Sequence, residues 1–239
     1  MFYLNTTIWL IVALPTFFMP YTAILAVAKA WGRVNLLLLR VVAGIGCEFR
    51  GREKIPQGPI IVAAKHQSAW ETFALFAILD DPTYVLKREL MWVPLFGWLA
   101  RKAGMIPIDR GARVSALARM AARARDEIAH GRQIVIFPEG TRRAPGAEPR
   151  YLPGVAYIYA ETKLACVPVA LNSGLFWPRR SWRRSPGTVL VEVLDPIPPG
   201  LDRRTFLARL QSVTEAATAR LVQESQTGIR DQESGAVDA

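Results

Sequence analysis

Histidine and cysteine are almost missing from this chain: two of each occur in 239 residues. Cys47 and Cys166 stand far apart in apolar surroundings with no paired spacing. That pattern argues against a zinc site, and buried thiols in a cytosol-facing protein are a simpler reading than a disulfide. A general base working near neutral pH is most often histidine, so only His66 and His130 are candidates. No charged residue occurs between Ile8 and Ala28. Internal repeats are also lacking, and no linker marks a second soluble domain.

The residues that are abundant pull in two directions. The chain is 51% hydrophobic and carries a net charge of +10, with mean hydropathy +0.17 and a pI near 10.1. A soluble nucleic-acid binder would account for the charge but not for the apolar content, and no nucleic-acid motif or stacking pattern is present. An anionic membrane surface accounts for both, since each Lys or Arg near it contributes roughly 1 kcal/mol. The basic excess is densest between 101 and 150, where eleven basic residues face five acidic ones.

The charge-free run "IWLIVALPTFFMPYTAILAVA" has the length a bilayer-spanning helix needs, but Pro15 and Pro20 each remove a helix hydrogen bond. A second apolar run, Val34–Gly46, is short and carries Arg40. Nothing basic precedes the first run, which weighs against a signal peptide. A single span with its basic flank in the cytoplasm obeys the positive-inside tendency. A kinked helical hairpin dipping into one leaflet fits the prolines better. Residues 1–46 are therefore expected to form a membrane anchor or hairpin at the cytoplasmic membrane, with the remainder on its cytoplasmic side.

After residue 46, short apolar runs alternate with helical patterns. Strands are expected at 59–64, 83–87, 104–108, 133–137, 165–171 and 188–194, and helices at 69–79, 92–102, 113–129, 153–163 and 202–225. This alternation predicts an α/β fold: a mostly parallel central sheet flanked by helices. It spans 47–225, and 226–239 reads as a disordered tail. Ligands of such sheets gather at the carboxyl ends of strands. Four polar clusters stand there: "KHQSAWE", "DRG" (109–111), "PEGTRR" (138–143) and "NSG" (172–174).

His130 adjoins Gly131 at a helix end, where a cation suits the dipole, and reads as structural. His66 follows a buried strand directly. In "HQSAWE" two readings of Glu71 stand side by side: partner of Ser68 in a capping box, or the carboxylate that orients His66 as a general base. In "FPEGTR", Gly140 permits a tight turn, and Thr141 and Arg142 supply donors suited to phosphate. Arg110 at a neighbouring strand end favours the same clamp over a surface role. Arg179–Arg180 and Arg183–Arg184, beside Trp177 and Trp182, suit an interfacial surface.

In order, "HQSAWE" (66–71), "GMIPIDR" (104–110), "FPEGTR" (137–142) and "VPVA" (167–170) resemble the blocks of the glycerolipid acyltransferases, specifically the lysophosphatidic acid acyltransferases. The third block is complete; the first carries Glu71 where the family has aspartate. The resemblance implies His66 and Glu71 as a catalytic pair, and Arg110 and Arg142 holding the acceptor's phosphate. It also implies Glu139, Gly140 and Thr141 shaping the glycerol site. The acyl donor would be acyl-CoA or acyl-carrier protein, the acceptor a membrane lipid, and no metal or other cofactor is needed. A different lysolipid acceptor, such as lyso-ornithine lipid, and a non-catalytic basic membrane-binding protein are the rival readings.

Overall fold

Strands form where the apolar runs lie. A computed structural model, describing residues 2–108 and 114–235, contains β1 (Ile45–Arg50), β2 (Ile61–Ala64), β3 (Pro82–Lys87), β4 (Ile106–Ile108), β5 (Gln133–Ile136), β6 (Cys166–Leu171) and β7 (Gly187–Val193). They make one sheet in the order β1-β7-β6-β2-β5-β3-β4. The five strands β6, β2, β5, β3 and β4 are mutually parallel. β7 runs against β6, and β1, parallel to β7, shares its direction. This is the expected mostly parallel α/β sheet.

Helices cover both faces: α3 (Trp70–Ala74), α4 (Phe96–Lys102), α5 (Val114–Ala129), α6 (Gly154–Thr162) and α7 (Arg203–Gly235), after α1 (Phe2–Val12) and α2 (Tyr21–Ala43). The period-2 alternation of a strand splits the core between the faces. On β2, Val62 and Ala64 join Trp70, Phe73 and Leu39 of α3 and α2. Ile61 and Ala63 join Met120, Ile158 and Phe206 of α5, α6 and α7. All four β2 residues are buried, so the segment that delivers His66 is among the most rigidly held in the fold.

Several boundaries differ from the sequence reading for identifiable reasons. β1 escapes an apolar-run criterion because it is an edge strand with Cys47 and Glu48 exposed. Cys47, expected as a buried thiol, is therefore at the surface; Cys166 is buried, and both are free. Position 46/47, drawn as a boundary, falls inside β1. Pro94 interrupts the expected helix 92–102, leaving a 3-10 turn at Arg88–Trp92 before α4. The last helix continues past 225 to Gly235.

The amino-terminal run also breaks elsewhere than its charge pattern suggests. A 3-10 segment Leu14–Phe18 opens with Pro15, and Pro20 caps α2. α2 then runs straight through Lys29, Gly32 and Arg33, and it is long and apolar enough to cross a membrane. One stripe of α2, Ile24, Gly32, Asn35 and Leu39, is buried; Leu37, Val41 and Val42 are exposed. Asn5 Nδ2 donates to Asn35 Oδ1 (3.2 Å) and Trp31 Nε1 to Thr6 Oγ1 (3.3 Å), tying α1 to α2. Tyr21 donates to the Asp81 carboxylate, which Arg132 also engages at 3.2 Å. The two helices are thus docked on the α/β body. Phe18, 96% exposed at their tip, leaves an apolar rim with Trp92 at the end of the 3-10 turn, Trp98 on α4 and Trp182 in the loop before β7.

At Gly32 a Cβ would lie 2.7 Å from the Phe73 carbonyl oxygen. Alanine normally stabilises a helix over glycine by about 1 kcal/mol, whereas overpacking against a backbone atom costs about 1–3 kcal/mol. Gly32→Ala is expected to lower unfolding stability by a net ~0–2 kcal/mol, measured by denaturant titration in detergent. A gain in stability would show that α2 does not press on α3.

Candidate active site

β2, β5 and β6 point their carboxyl ends to one edge, so the loops after them share a site. Beyond Ala64, Lys65 N–H still donates to the Val169 carbonyl (2.9 Å), and His66 is the first residue past the sheet. Its ring stacks on Phe137 at 4.2 Å and 18° and is 12% exposed. Nδ1 lies 2.8 Å from Glu71 Oε1. An ionised carboxylate only accepts hydrogen bonds, so the shared proton sits on Nδ1 and the neutral ring keeps a lone pair on Nε2.

Glu71 is wholly buried, and each of its oxygens is engaged. Oε1 also accepts the Gln67 and Ser68 N–H groups, both at 2.7 Å, and Oε2 accepts Ser173 Oγ–H at 2.8 Å. Ser68 Oγ in turn accepts the Trp70 N–H at 3.2 Å. The carboxylate half of a capping box, Glu71 to the Ser68 N–H, and the bond to the imidazole therefore coexist on one oxygen, while Ser68 Oγ takes the Trp70 N–H rather than that of Glu71, and Ala69 stands at the cap of α3. The sequence posed them as alternatives; the geometry makes them one device.

The "FPEGTR" turn clasps this loop from the other side. Gly140, at φ +63°, closes the turn by donating to the Phe137 carbonyl (2.9 Å), and Arg143 N–H donates to the His66 carbonyl (2.8 Å). Glu139 departs from the expected glycerol-site role by turning inward. Its Oε2 accepts the His66 N–H (3.0 Å) and its Oε1 meets Lys65 Nζ (2.8 Å), with a side chain that is 0% exposed. Lys65 Nζ also reaches Glu215 Oε1 on α7 at 2.7 Å, where Tyr151 OH donates as well (3.1 Å). Burial pushes the Glu139 carboxyl up, while the Lys65 ammonium and the His66 N–H pull it down. Burial and the Glu215 carboxylate both raise the Tyr151 hydroxyl.

Thr141 and Arg142 line a cleft of about 490 Å³ together with Gln67, Arg143, Gly174 and Arg179. Across the turn, Phe137, Pro138 and Gly140 border a smaller cleft of about 110 Å³, walled by Val85, Ile108, Leu117 and Leu152. The His66 loop thus lies between a basic cleft and an apolar one. Arg110 lies outside the described residues. His130 is remote from this site: it is exposed, with Nδ1 2.8 Å from the Asp126 carbonyl oxygen on α5. The sequence reading missed Ser173, Lys65 and Gln67. Ser173 lies in a flagged strand-end cluster, "NSG", but nothing in the sequence gives it a role. A buried lysine beside a catalytic candidate has no local signature, because its partners lie 74 and 150 positions away.

A neutral imidazole with one nitrogen held by a buried carboxylate and the other unprotonated is suited to general-base work. The Acyltransferase family model matches residues 46–172. A 1-acyl-sn-glycerol-3-phosphate acyltransferase of Pseudomonas aeruginosa is 40% identical over 167 residues, covering 70% of this chain and 65% of that protein. The alpha form from Homo sapiens is 29% identical over 169 residues, 70% of this chain and 60% of the relative. The chain therefore spans less than two thirds of the length of either. A lyso-ornithine lipid O-acyltransferase of Pseudomonas aeruginosa is 31% identical over 80% of each chain. The fold is similar to the crystal structure of a lysophosphatidic acid acyltransferase from Thermotoga maritima: TM-score 0.72, 22% identity, 92% of this chain and 94% of that one.

Removing Lys65 would strand Glu139 in the interior. Lys65→Met is expected to destabilise by about 3–5 kcal/mol, the range for breaking a buried pair, and Lys65→Met with Glu139→Gln by clearly less. Without its cation, the buried carboxyl has a folded-state pKa above its unfolded value. The deficit of Lys65→Met should therefore be smallest at low pH and grow as pH rises through the folded pKa. Denaturant unfolding at pH 5 and pH 8 tests this; equal deficits at the two values would contradict a charged, uncompensated Glu139.

Proposed function

This chain belongs to the Acyltransferase family, and from that premise we propose that it transfers a fatty acyl group from an acyl thioester to the sn-2 hydroxyl of lysophosphatidic acid, giving phosphatidic acid. The observation that carries this reading is the His66–Glu71 pair at 2.8 Å, with Nε2 left to accept a proton. The acceptor hydroxyl oxygen attacks the thioester carbonyl carbon as its proton passes to His66 Nε2. The resulting imidazolium faces the Glu71 carboxylate, which stabilises it. When the tetrahedral intermediate collapses, the C–S bond breaks and the leaving thiolate takes the proton from His66. Atoms and charges balance without a metal or redox cofactor. The donor is acyl-CoA or acyl-carrier protein.

The remaining residues fall into roles by position. Arg142 in the basic cleft holds the acceptor's phosphate, a role the motif order also gives to Arg110, and Gly140 and Thr141 shape the space beside Arg142. Glu139 holds the His66 backbone instead of touching the glycerol. The apolar cleft beside Phe137 suits an aliphatic chain. The docked α1–α2 hairpin, its exposed Phe18 and the tryptophan rim suit a protein seated in one leaflet on the cytoplasmic side, where its acceptor and product reside and anionic headgroups attract its +10 charge. Likeness to a lyso-ornithine lipid O-acyltransferase over 80% of the chain supports a second reading, in which the acceptor is another lysolipid. A non-catalytic membrane-binding role leaves the fully bonded Glu71 without a purpose.

Thiol release from acyl-CoA in the presence of lysophosphatidic acid tests the assignment. His66→Ala should lower kcat about 10²–10⁴-fold, the worth of general-base catalysis; wild-type turnover in that variant would exclude His66 as the base. Glu71→Asp, one methylene short of either His66 or Ser173, is expected to retain the fold and lose about tenfold in kcat.

A further inference from the structure

Resting on the reading of His66 as the base, we propose that Ser173 is a positioning residue of the transfer. It completes a Ser173–Glu71–His66 relay by locking the plane of the carboxylate that holds the imidazole. Three donors meet Glu71 Oε1, from His66, Gln67 and Ser68, and the Ser173 hydroxyl donates to Oε2 at 2.8 Å. The last torsion of a glutamate is broad and roughly two-fold, so bonds to one oxygen leave the carboxylate plane free to swing. A donor on the other oxygen removes that freedom. Ser173 and Glu71 are both wholly buried. Their bond is charge-assisted, a class roughly twice as strong as neutral hydrogen bonds, and it lies out of bulk water.

The serine is itself held on both sides, which makes its hydroxyl a preset donor. Its carbonyl accepts the Phe176 N–H (3.2 Å) and the Trp177 N–H (2.9 Å), closing the 3-10 turn Ser173–Leu175. One position earlier, Asn172 Oδ1 accepts the Leu190 N–H at 2.9 Å. Asn172 Nδ2 donates to the Leu221 carbonyl (3.2 Å) and to Ser225 Oγ (2.6 Å) on α7. One position later, Gly174 donates its N–H to the Gln67 side-chain oxygen at 3.0 Å. A Cβ at Gly174 would lie 3.0 Å from Gln67 Cβ and 2.8 Å from Pro145 Cδ, so the two loops touch there at glycine range. Three successive residues of "NSG" thus grip α7, the buried carboxylate and the His66 loop. Wholly buried behind Glu71, Ser173 acts through the carboxylate and not on substrate. Its effect is on the hold that Glu71 keeps on Nδ1 while the imidazolium forms.

The test uses the purified full chain with acyl-CoA and lysophosphatidic acid. Ser173→Ala is expected to lower kcat about tenfold, the lower end of what a hydrogen bond to a charged group contributes. The KM of each substrate should stay within about twofold, as when an interaction serves the transition state alone. Added to Glu71→Asp, whose shorter carboxylate reaches one partner and not both, Ser173→Ala should cost less than about twofold more, because residues acting as a unit are not additive. Thr83→Val is the matched control: it deletes a buried hydroxyl that bonds the Gly104 carbonyl at 2.8 Å on β3. Its kcat should stay within about twofold of wild type, as for a distant, independent site. An unchanged kcat in Ser173→Ala, a loss shared by Thr83→Val, a loss seen in KM, or a full tenfold loss on top of Glu71→Asp would each reduce Ser173 to packing and overturn the inference. Nitrogen NMR of the ¹⁵N-histidine-labelled protein reads the same hold without turnover. In Ser173→Ala the neutral His66 ring should show a share of the Nε2–H tautomer that the wild type lacks, with exposed His130 unaltered as internal reference. If the wild type acylates no acceptor, the functional reading has failed. The positioning is then judged on the spectra, where identical His66 tautomers in wild type and variant overturn it.

Discussion

Everything at this site depends on one buried carboxylate. Glu71 has no contact with water and collects four donors: the imidazole of His66, two backbone N–H groups of the loop between them, and the hydroxyl of Ser173. Burying an ionised carboxylate is expensive unless its oxygens are hydrogen-bonded throughout. Here the bonds that stabilise the charge also fold the loop and fix the ring. The loop conformation, the start of α3 and the tautomer of His66 are consequently one structural fact.

A second buried pair supports the first from behind. Lys65 and Glu139 lie on the two neighbouring strand-end loops, and Glu139 spends its other oxygen on the His66 backbone N–H. Lys65 carries the connection to Glu215 on α7. The helix hairpin is joined to the same body through Gly32 against α3 and Tyr21 against Asp81. The apolar rim and the imidazole are thereby held in a fixed relation by close packing, as the proposed transfer to a bilayer lipid requires.

The parallel sheet was legible in the sequence because its strands are buried on both faces and read as continuous apolar runs. β1 was not, since at this sheet edge Cys47 and Glu48, on opposite faces of the strand, are both exposed. His66, Glu71 and "FPEGTR" stood out because each sits directly after a strand, where topology makes a site. The inward placement of Glu139 was hidden: its motif position pointed to substrate, while its contacts, set by a lysine 74 residues earlier, turn it inward. Ser173 and Gln67 were equally silent, because a serine and a glutamine acquire meaning only through the partner that tertiary packing brings to them. The break between α1 and α2 was written in Pro15 and Pro20, but the reach of α2 through Lys29 and Arg33 was not. Its buried stripe overrides charges that face outward.

The central claim is that Glu71 holds His66 with its proton on Nδ1 and Nε2 free. With two histidines in the chain, nitrogen NMR of the ¹⁵N-histidine-labelled protein reads this directly at a pH where the rings are neutral, with Glu71→Gln identifying the His66 signals. The account predicts that His66 is the Nδ1–H tautomer and that only its resonances respond to the Glu71 substitution. A protonated Nε2 in the neutral ring of His66 would contradict it.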